Sequence, residues 1–72
     1  MPQLKIISPK NLIKYLHKKG FQEIRQSGSH VFMEKNDITT IVPLHTKDLG
    51  RGIIRKILRD TDIPTNTYMK EV

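Results

Sequence analysis

The residues best suited to acid–base chemistry are the three histidines, His17, His30 and His45. An unperturbed imidazole titrates near pH 6.5, so it exchanges protons at neutral pH. His30 directly follows Ser27-Gly28-Ser29, a turn whose glycine would let the backbone approach a ligand. Taken alone, a histidine at the start of a strand is more often structural than catalytic, so both interpretations of His30 stay open at this point.

The other two histidines differ from His30 in their surroundings. His17 lies among lysines in a helical pattern, and we expect it on the surface. His45 follows Val42-Pro43-Leu44 at the end of a strand pattern, where it is either structural or at the edge of a site. If His30 moves one proton in a reaction, His45 is the best candidate for the second proton-transfer group.

The acidic residues do not form a pattern that would hold metal ions. A two-metal nuclease needs several carboxylates that converge on ions about 4 Å apart. The seven Asp and Glu residues are scattered, and Asp60 and Asp62 have a spacing that does not place them on one helical face. We therefore expect neither metal catalysis nor a cofactor.

Two stripes of basic residues repeat every four positions, which places each stripe on one helical face. They are Lys10, Lys14 and Lys18 in one segment, and Arg51, Arg55 and Arg59 in another, with Lys56 beside the second. With a net charge of +6, such faces favour an anionic partner, above all nucleic acid. The alternative is a pair of solvated faces that serve solubility.

The second stripe begins at Leu49-Gly50-Arg51-Gly52, a candidate helix start. Helix N-termini present free N–H groups that suit a phosphate, and Arg51 could add a charged fork. The alternative, slightly favoured here, is that Gly50 and Gly52 only turn the chain.

Periodicity and turn residues predict the elements that position these groups. The first helix starts at Ser8-Pro9, where serine caps and proline fits the first position, and it ends at Gly20. Three strands follow at residues 21–26, 30–35 and 38–44, with short turns that make an antiparallel meander. A second helix covers residues 51–60, and residues 65–72 add one short helical turn.

This order predicts an α+β fold of the α-β-β-β-α type, a three-stranded antiparallel sheet with two helices on one face. That layout is the one of the double-stranded RNA-binding fold. Val31 and Met33 are placed in the core, opposite His30, whereas the side on which Phe32 lies stays open.

Length and composition limit the class of protein. Seventy-two residues predict a single domain over residues 1–72, since a domain usually takes about 100 to 200 residues. No apolar run approaches the roughly 20 residues of a membrane span, and residues 1–9 are too short and polar for a signal peptide. With no cysteine either, we expect a soluble cytoplasmic protein that binds no membrane.

Four segments together resemble one known family. They are Gln26-Ser27-Gly28-Ser29-His30, Gly20-Phe21, Val42-Pro43-Leu44-His45 and Gly52-Ile53-Ile54-Arg55-Lys56-Ile57-Leu58. The first of them resembles the Gly-Ser-His signature of HicA toxins, the mRNA interferases of HicA–HicB toxin–antitoxin systems. The resemblance extends from about Pro9 to Ile63, with one departure: the family often has threonine where this chain has Ile53.

The resemblance implies a double-stranded RNA-binding-like fold, endoribonuclease activity on mRNA, and a HicB-like antitoxin that covers the active site. It places the family's catalytic histidine on His30. Our hypothesis for RNA binding comprises Gly28, Ser29, Lys47, Arg51, Arg55, Lys56 and Arg59.

Two other functions fit the same residues. A module that binds structured RNA without cutting it would share the fold and the charge, so only His30 separates it from a nuclease. A protein-interaction module would instead direct its basic surface to an acidic protein partner.

Overall fold

Three antiparallel strands and three helices make up most of residues 4–72, the part of the chain that the computed structural model describes. In chain order they are α1 (Pro9–Lys18), β1 (Gln22–Ser27), β2 (His30–Lys35), β3 (Ile38–Pro43), α2 (Arg51–Asp60) and α3 (Thr65–Glu71). The strands form one open sheet in the order β1-β2-β3. The predicted α+β fold is therefore confirmed, with α3 added at its end.

Helix α1 begins as its sequence predicts. The backbone N–H of Asn11 donates a hydrogen bond to Ser8 Oγ at 3.2 Å, and Pro9 takes the first helical position. The helix stops at Lys18, and Gly20 follows with a φ of +96°, a left-handed conformation that glycine adopts without strain.

The sheet is built from two tight hairpins, and both turns contain a residue with positive φ. Gly28 (φ 58°) precedes β2 and Asn36 (φ 55°) follows it. Ser27 pairs with His30, so the first turn has two residues rather than the three that the sequence indicated. As a result β1 covers Gln22–Ser27 instead of residues 21–26, and Phe21 is buried just before it.

The third strand is one residue shorter than predicted. It ends at Pro43, which pairs with His30, and Leu44 has left the ladder. The Leu44 N–H instead donates to the carbonyl of Ser29 at 2.6 Å, which ties the start of the loop to the β1–β2 turn.

Only one face of the sheet is buried, and we call it the inner face. Val31 and Met33 lie there as predicted, at 2% and 0% exposure. They pack in one cluster with buried side chains of α1 and α2, which include Leu12, Leu16, Ile54, Ile57 and Leu58. Phe32 alternates to the opposite, outer face, where it is half-buried.

Helix α3 is longer than the single short turn that the sequence predicted. Tyr68 is fully buried, its hydroxyl donates to the Lys5 carbonyl at 2.6 Å, and its ring meets Tyr15 edge-on at 5.6 Å. Helices as short as α3 are stabilised by tertiary packing rather than by helix propensity, so the local sequence predicted too short a helix. None of the helices in residues 4–72 has both the length and the apolarity to cross a membrane.

The last turn of α3 is fastened to α1 by one carboxylate. Tyr15 donates its hydroxyl to Glu71 Oε1 at 2.7 Å, and the Lys19 ammonium lies 2.6 Å from the same oxygen. These two partners hold the pKa of the Glu71 carboxyl below its usual value. Burial, and then the hydrogen bond to Glu71, raise the pKa of Tyr15.

We predict that Glu71→Gln lowers thermal stability at neutral pH and that the difference from the parent shrinks in acid. A carboxyl with a lowered folded-state pKa stabilises the fold above its unfolded pKa, about 4.3, and loses that contribution as the pH falls through the folded pKa. Melting temperatures between neutral pH and pH 3 measure the effect. Glu34→Gln removes another exposed carboxylate as a control; a difference for Glu71→Gln that does not depend on pH would contradict the assignment.

Candidate active site

His30 is the first residue of β2, and its side chain lies on the outer face of the sheet. Val31, the next residue, points into the core, so the alternation of the strand directs His30 away from it. Its partners across the sheet are Ser27 on β1 and Pro43 on β3. His30 is exposed, as expected for a residue outside the core.

The structure brings His45 next to His30. Their ring centroids are 6.2 Å apart with the planes tilted by 56°, within the 4.5–7 Å over which aromatic rings contact each other. The hydrogen bond from Leu44 to Ser29 holds this arrangement, because it joins the residue before each histidine. Both rings are exposed, so two imidazoles border one surface at the end of the sheet.

The turn before His30 has a structural reason for its glycine. Gly28 has a φ of 58°, and its carbonyl accepts a hydrogen bond from Gln26 Nε2 at 3.1 Å. No atom lies within 4 Å of the position that a Cβ would take, so the left-handed backbone, not crowding, favours glycine here. Ser29 is half-buried, and its carbonyl is occupied by Leu44.

The basic residues of α2 do not join this surface. Helix α2 packs against the inner face, whereas His30 lies on the outer one. Asp60, the last residue of α2, lies 3.5 Å from the hydroxyl of Thr40, which is three residues, or roughly 10 Å of strand, before Pro43. The second basic stripe therefore lies on the side of the sheet opposite the histidine pair.

Arg51 of that stripe and Lys56 beside it already have partners within the chain. Arg51 Nε donates to the Leu4 carbonyl at 3.3 Å, and Lys56 pairs with Asp60 at 3.0 Å. Arg55 and Arg59 are exposed along the same helix. Lys47 is exposed in the loop that carries His45, two residues further along the sequence. Among the candidate cations it is the one closest in sequence to a histidine of the pair.

The two glycines at the start of α2 are not required by the backbone conformation there. Gly50 takes the cap position with φ −67°, a conformation open to any residue, and Gly52 has no positive φ either. Both glycines face open space. The interpretation that they merely turn the chain, slightly favoured from the sequence, thus loses its physical basis.

His17 lies on the surface, as expected from its place among lysines. His17 is exposed and lies 3.4 Å from Glu23 Oε1, which is a surface contact. Among residues 4–72, no three His, Asp or Glu side chains come together as a possible metal site.

The sequence interpretation missed one feature beside His30. The Arg25 guanidinium lies 4.4 Å over the ring of Phe32 on the outer face. A three-residue turn would have paired Arg25 with Val31 and turned it inward, since a slip of one residue exchanges the two faces of a strand. The preference of hairpins for two-residue turns is the signal that could have revealed this pair.

Comparison with known proteins matches the chain to one protein family. A family model described as the HicA toxin of bacterial toxin–antitoxin systems matches residues 9–63. A search of the curated proteins found no match.

We predict that His30→Ala folds like the parent and changes the free energy of unfolding by no more than about 1 kcal/mol, as is usual for an exposed side chain outside the core. Gly28→Ala should cost more, about 1 to 2 kcal/mol, because alanine resists a φ of 58°. Urea unfolding of the two variants and of His17→Ala measures this. Unfolding of the His30 variant would show that the imidazole is structural.

Proposed function

The chain belongs to the HicA toxin family of bacterial toxin–antitoxin systems, and from this premise we propose that it is an endoribonuclease that cleaves mRNA through His30. Membership makes it a toxin that has an antitoxin partner. The RNA substrate, the histidine mechanism, its independence of metal ions and a cytoplasmic location are parts of the proposal.

The observation that carries the proposal is the exposed pair of imidazoles at the end of the sheet. His30 lies outside the core, and His45 is held 6.2 Å from it by a backbone hydrogen bond between their neighbours. Cleavage of RNA by proton transfer needs one group that accepts a proton and one that donates it. Imidazole is the side chain most often used in either role, and two imidazoles lie side by side here.

The reaction that fits these groups is an internal transesterification. One imidazole removes the proton of a ribose 2′-hydroxyl, whose oxygen attacks the adjacent phosphorus. The bond from phosphorus to the 5′-oxygen breaks, and the protonated imidazole donates its proton to that leaving oxygen. The products are a 2′,3′-cyclic phosphate and a free 5′-hydroxyl, so atoms and protons balance without a metal ion.

The remaining candidate residues contribute to binding in this proposal. Gly28 and Ser29 shape the turn against which the scissile phosphate rests, and Lys47 offers the ammonium that would offset charge on the phosphoryl oxygens. Arg55 and Arg59 lie on the far side of the sheet, so they would contact phosphates away from the cleavage point. Arg51 and Lys56 would have to exchange their present partners to do the same.

A HicB-like antitoxin would neutralise the protein by covering the two histidines. The alternative function is an RNA-binding module of the same fold that does not cut. The exposed imidazole pair favours cleavage over that alternative, because binding phosphates by charge alone requires no proton-transfer group.

We predict that the protein cleaves single-stranded RNA in the presence of EDTA and leaves 2′,3′-cyclic phosphate or 3′-phosphate ends. His30→Ala should reduce the rate by about 100- to 10,000-fold, the usual loss for a general acid or base, with RNA affinity little changed. Gel assays with end analysis measure both.

His17→Ala is the matched control, since it removes an exposed histidine far from the site, and DNA of the same sequence should resist because it lacks the 2′-hydroxyl. A His30 variant that cuts at the parent rate, or a parent that works only with magnesium, would refute the mechanism.

We also predict that RNA affinity falls steeply with salt and that Arg55→Ala flattens this dependence. Each phosphate contact releases counterions, so the slope of log affinity against log salt reports the number of contacts. The measurement is made in the His30→Ala background to prevent cleavage. Affinity that does not vary with salt would instead favour a module that binds a protein partner.

A further inference from the structure

We infer that Arg25 and Phe32 form a stacking site for a nucleobase of single-stranded RNA, beside the two histidines on the outer face. This inference rests on the proposed function and adds a subsite to it. The occupant is the base of a nucleotide whose backbone passes His30.

The cation–π contact between these two side chains is already formed in the protein. Arg25 and Phe32 are partners across β1 and β2, and the guanidinium lies 4.4 Å from the centre of the ring. Phe32 is half-buried and Arg25 is exposed, so the guanidinium side of the contact is open to a base. Proteins that recognise single-stranded RNA stack bases on aromatic rings and on guanidinium planes of this kind.

The position of the stack relative to His30 suits one nucleotide. His30 and Phe32 are two residues apart on β2, so they share the outer face with Cα atoms roughly 7 Å apart. Ile41, the partner of Phe32 on β3, borders the site with an apolar side chain that is 41% exposed. A base on the stack would therefore keep its own sugar and phosphate near the imidazoles.

Charge favours RNA over a protein as the occupant. The cross-strand partners of His30 and Phe32 comprise one cation, Arg25, and no carboxylate. Glu34, the acid on this face, lies two residues beyond Phe32, on the side away from His30. The end of the face that carries the histidines is thus open to a phosphate, and it also offers a flat, apolar surface for a base.

The experiment measures what a base contributes to binding. The probe is a short single-stranded RNA, together with matched oligonucleotides in which one ribose at a time lacks its base, bound to the His30→Ala protein. We expect one abasic position to weaken binding by about 5- to 150-fold, the range for loss of one stacked base. That penalty should disappear when Arg25→Gln or Phe32→Leu is added.

Ile6→Ala is a control for the loss of an exposed apolar side chain elsewhere: Ile6 is 41% exposed, as Ile41 is, but it lines a groove beside α1 that contains no residue of the sheet. The abasic penalty should persist in it. If Phe32→Leu unfolds the protein, Arg25→Gln decides the question alone.

Equal affinity for every abasic probe would overturn the inference, as would a penalty that survives both substitutions. If the variants keep the abasic penalty but no longer bind the antitoxin, Arg25 and Phe32 contact the protein partner, and the inference of a nucleobase site is overturned. If the parent cleaves RNA but no abasic position weakens binding, the subsite is refuted and the proposed function stands. If an abasic position weakens binding but the protein never cleaves RNA, the proposed function is refuted and the subsite stands.

Discussion

The fold of this protein is held together by the burial of one sheet face against α1 and α2. A chain of 72 residues without cysteine has no disulfide to stabilise it, so packing must supply the stability. The inner face of β2 and β3 and the two helices share one apolar cluster, with Val31, Met33 and Val42 fully enclosed. Because side chains alternate along a strand, every residue that is buried leaves its neighbour on the outer face. His30 and Phe32 are on the outer face for this reason.

The candidate site depends on a few backbone hydrogen bonds as much as on its side chains. The bond between Leu44 and Ser29 continues the β2–β3 pairing one step beyond His30 and Pro43, and it holds the residues before the two histidines together. A further bond, from the Leu49 N–H to the Ile7 carbonyl at 2.9 Å, fixes the other end of the same loop. The loop that carries His45 and Lys47 is therefore anchored at both ends, which limits how far those side chains can move from the end of the sheet.

The chain separates its apolar and basic surfaces in a way that bears on its substrate. The outer face near His30 offers flat, partly apolar groups, whereas the exposed arginines of α2 lie on the other side of the sheet. In the functions proposed above, a flexible RNA strand could contact both, by stacking at one and by charge at the other. A rigid duplex would meet one side only. Under the proposed function, this geometry suits a single RNA strand better than a duplex, although the fold resembles double-stranded RNA-binding domains.

The kinds of elements and most of their bounds follow from local sequence signals alone. Ser8-Pro9 set the start of α1, the apolar spacing set α2 at Arg51–Asp60, and β2 falls at His30–Lys35 as predicted, because each of these signals is local. Tertiary structure decided the rest. The register of the first hairpin places Arg25 on the outer face beside Phe32. Packing of Tyr68 against Tyr15 extends α3. Helix α2 covers the inner face, so its arginines lie on the opposite side of the sheet from His30. These outcomes depend on contacts between residues distant in the chain, and periodicity within one segment carries no information about them.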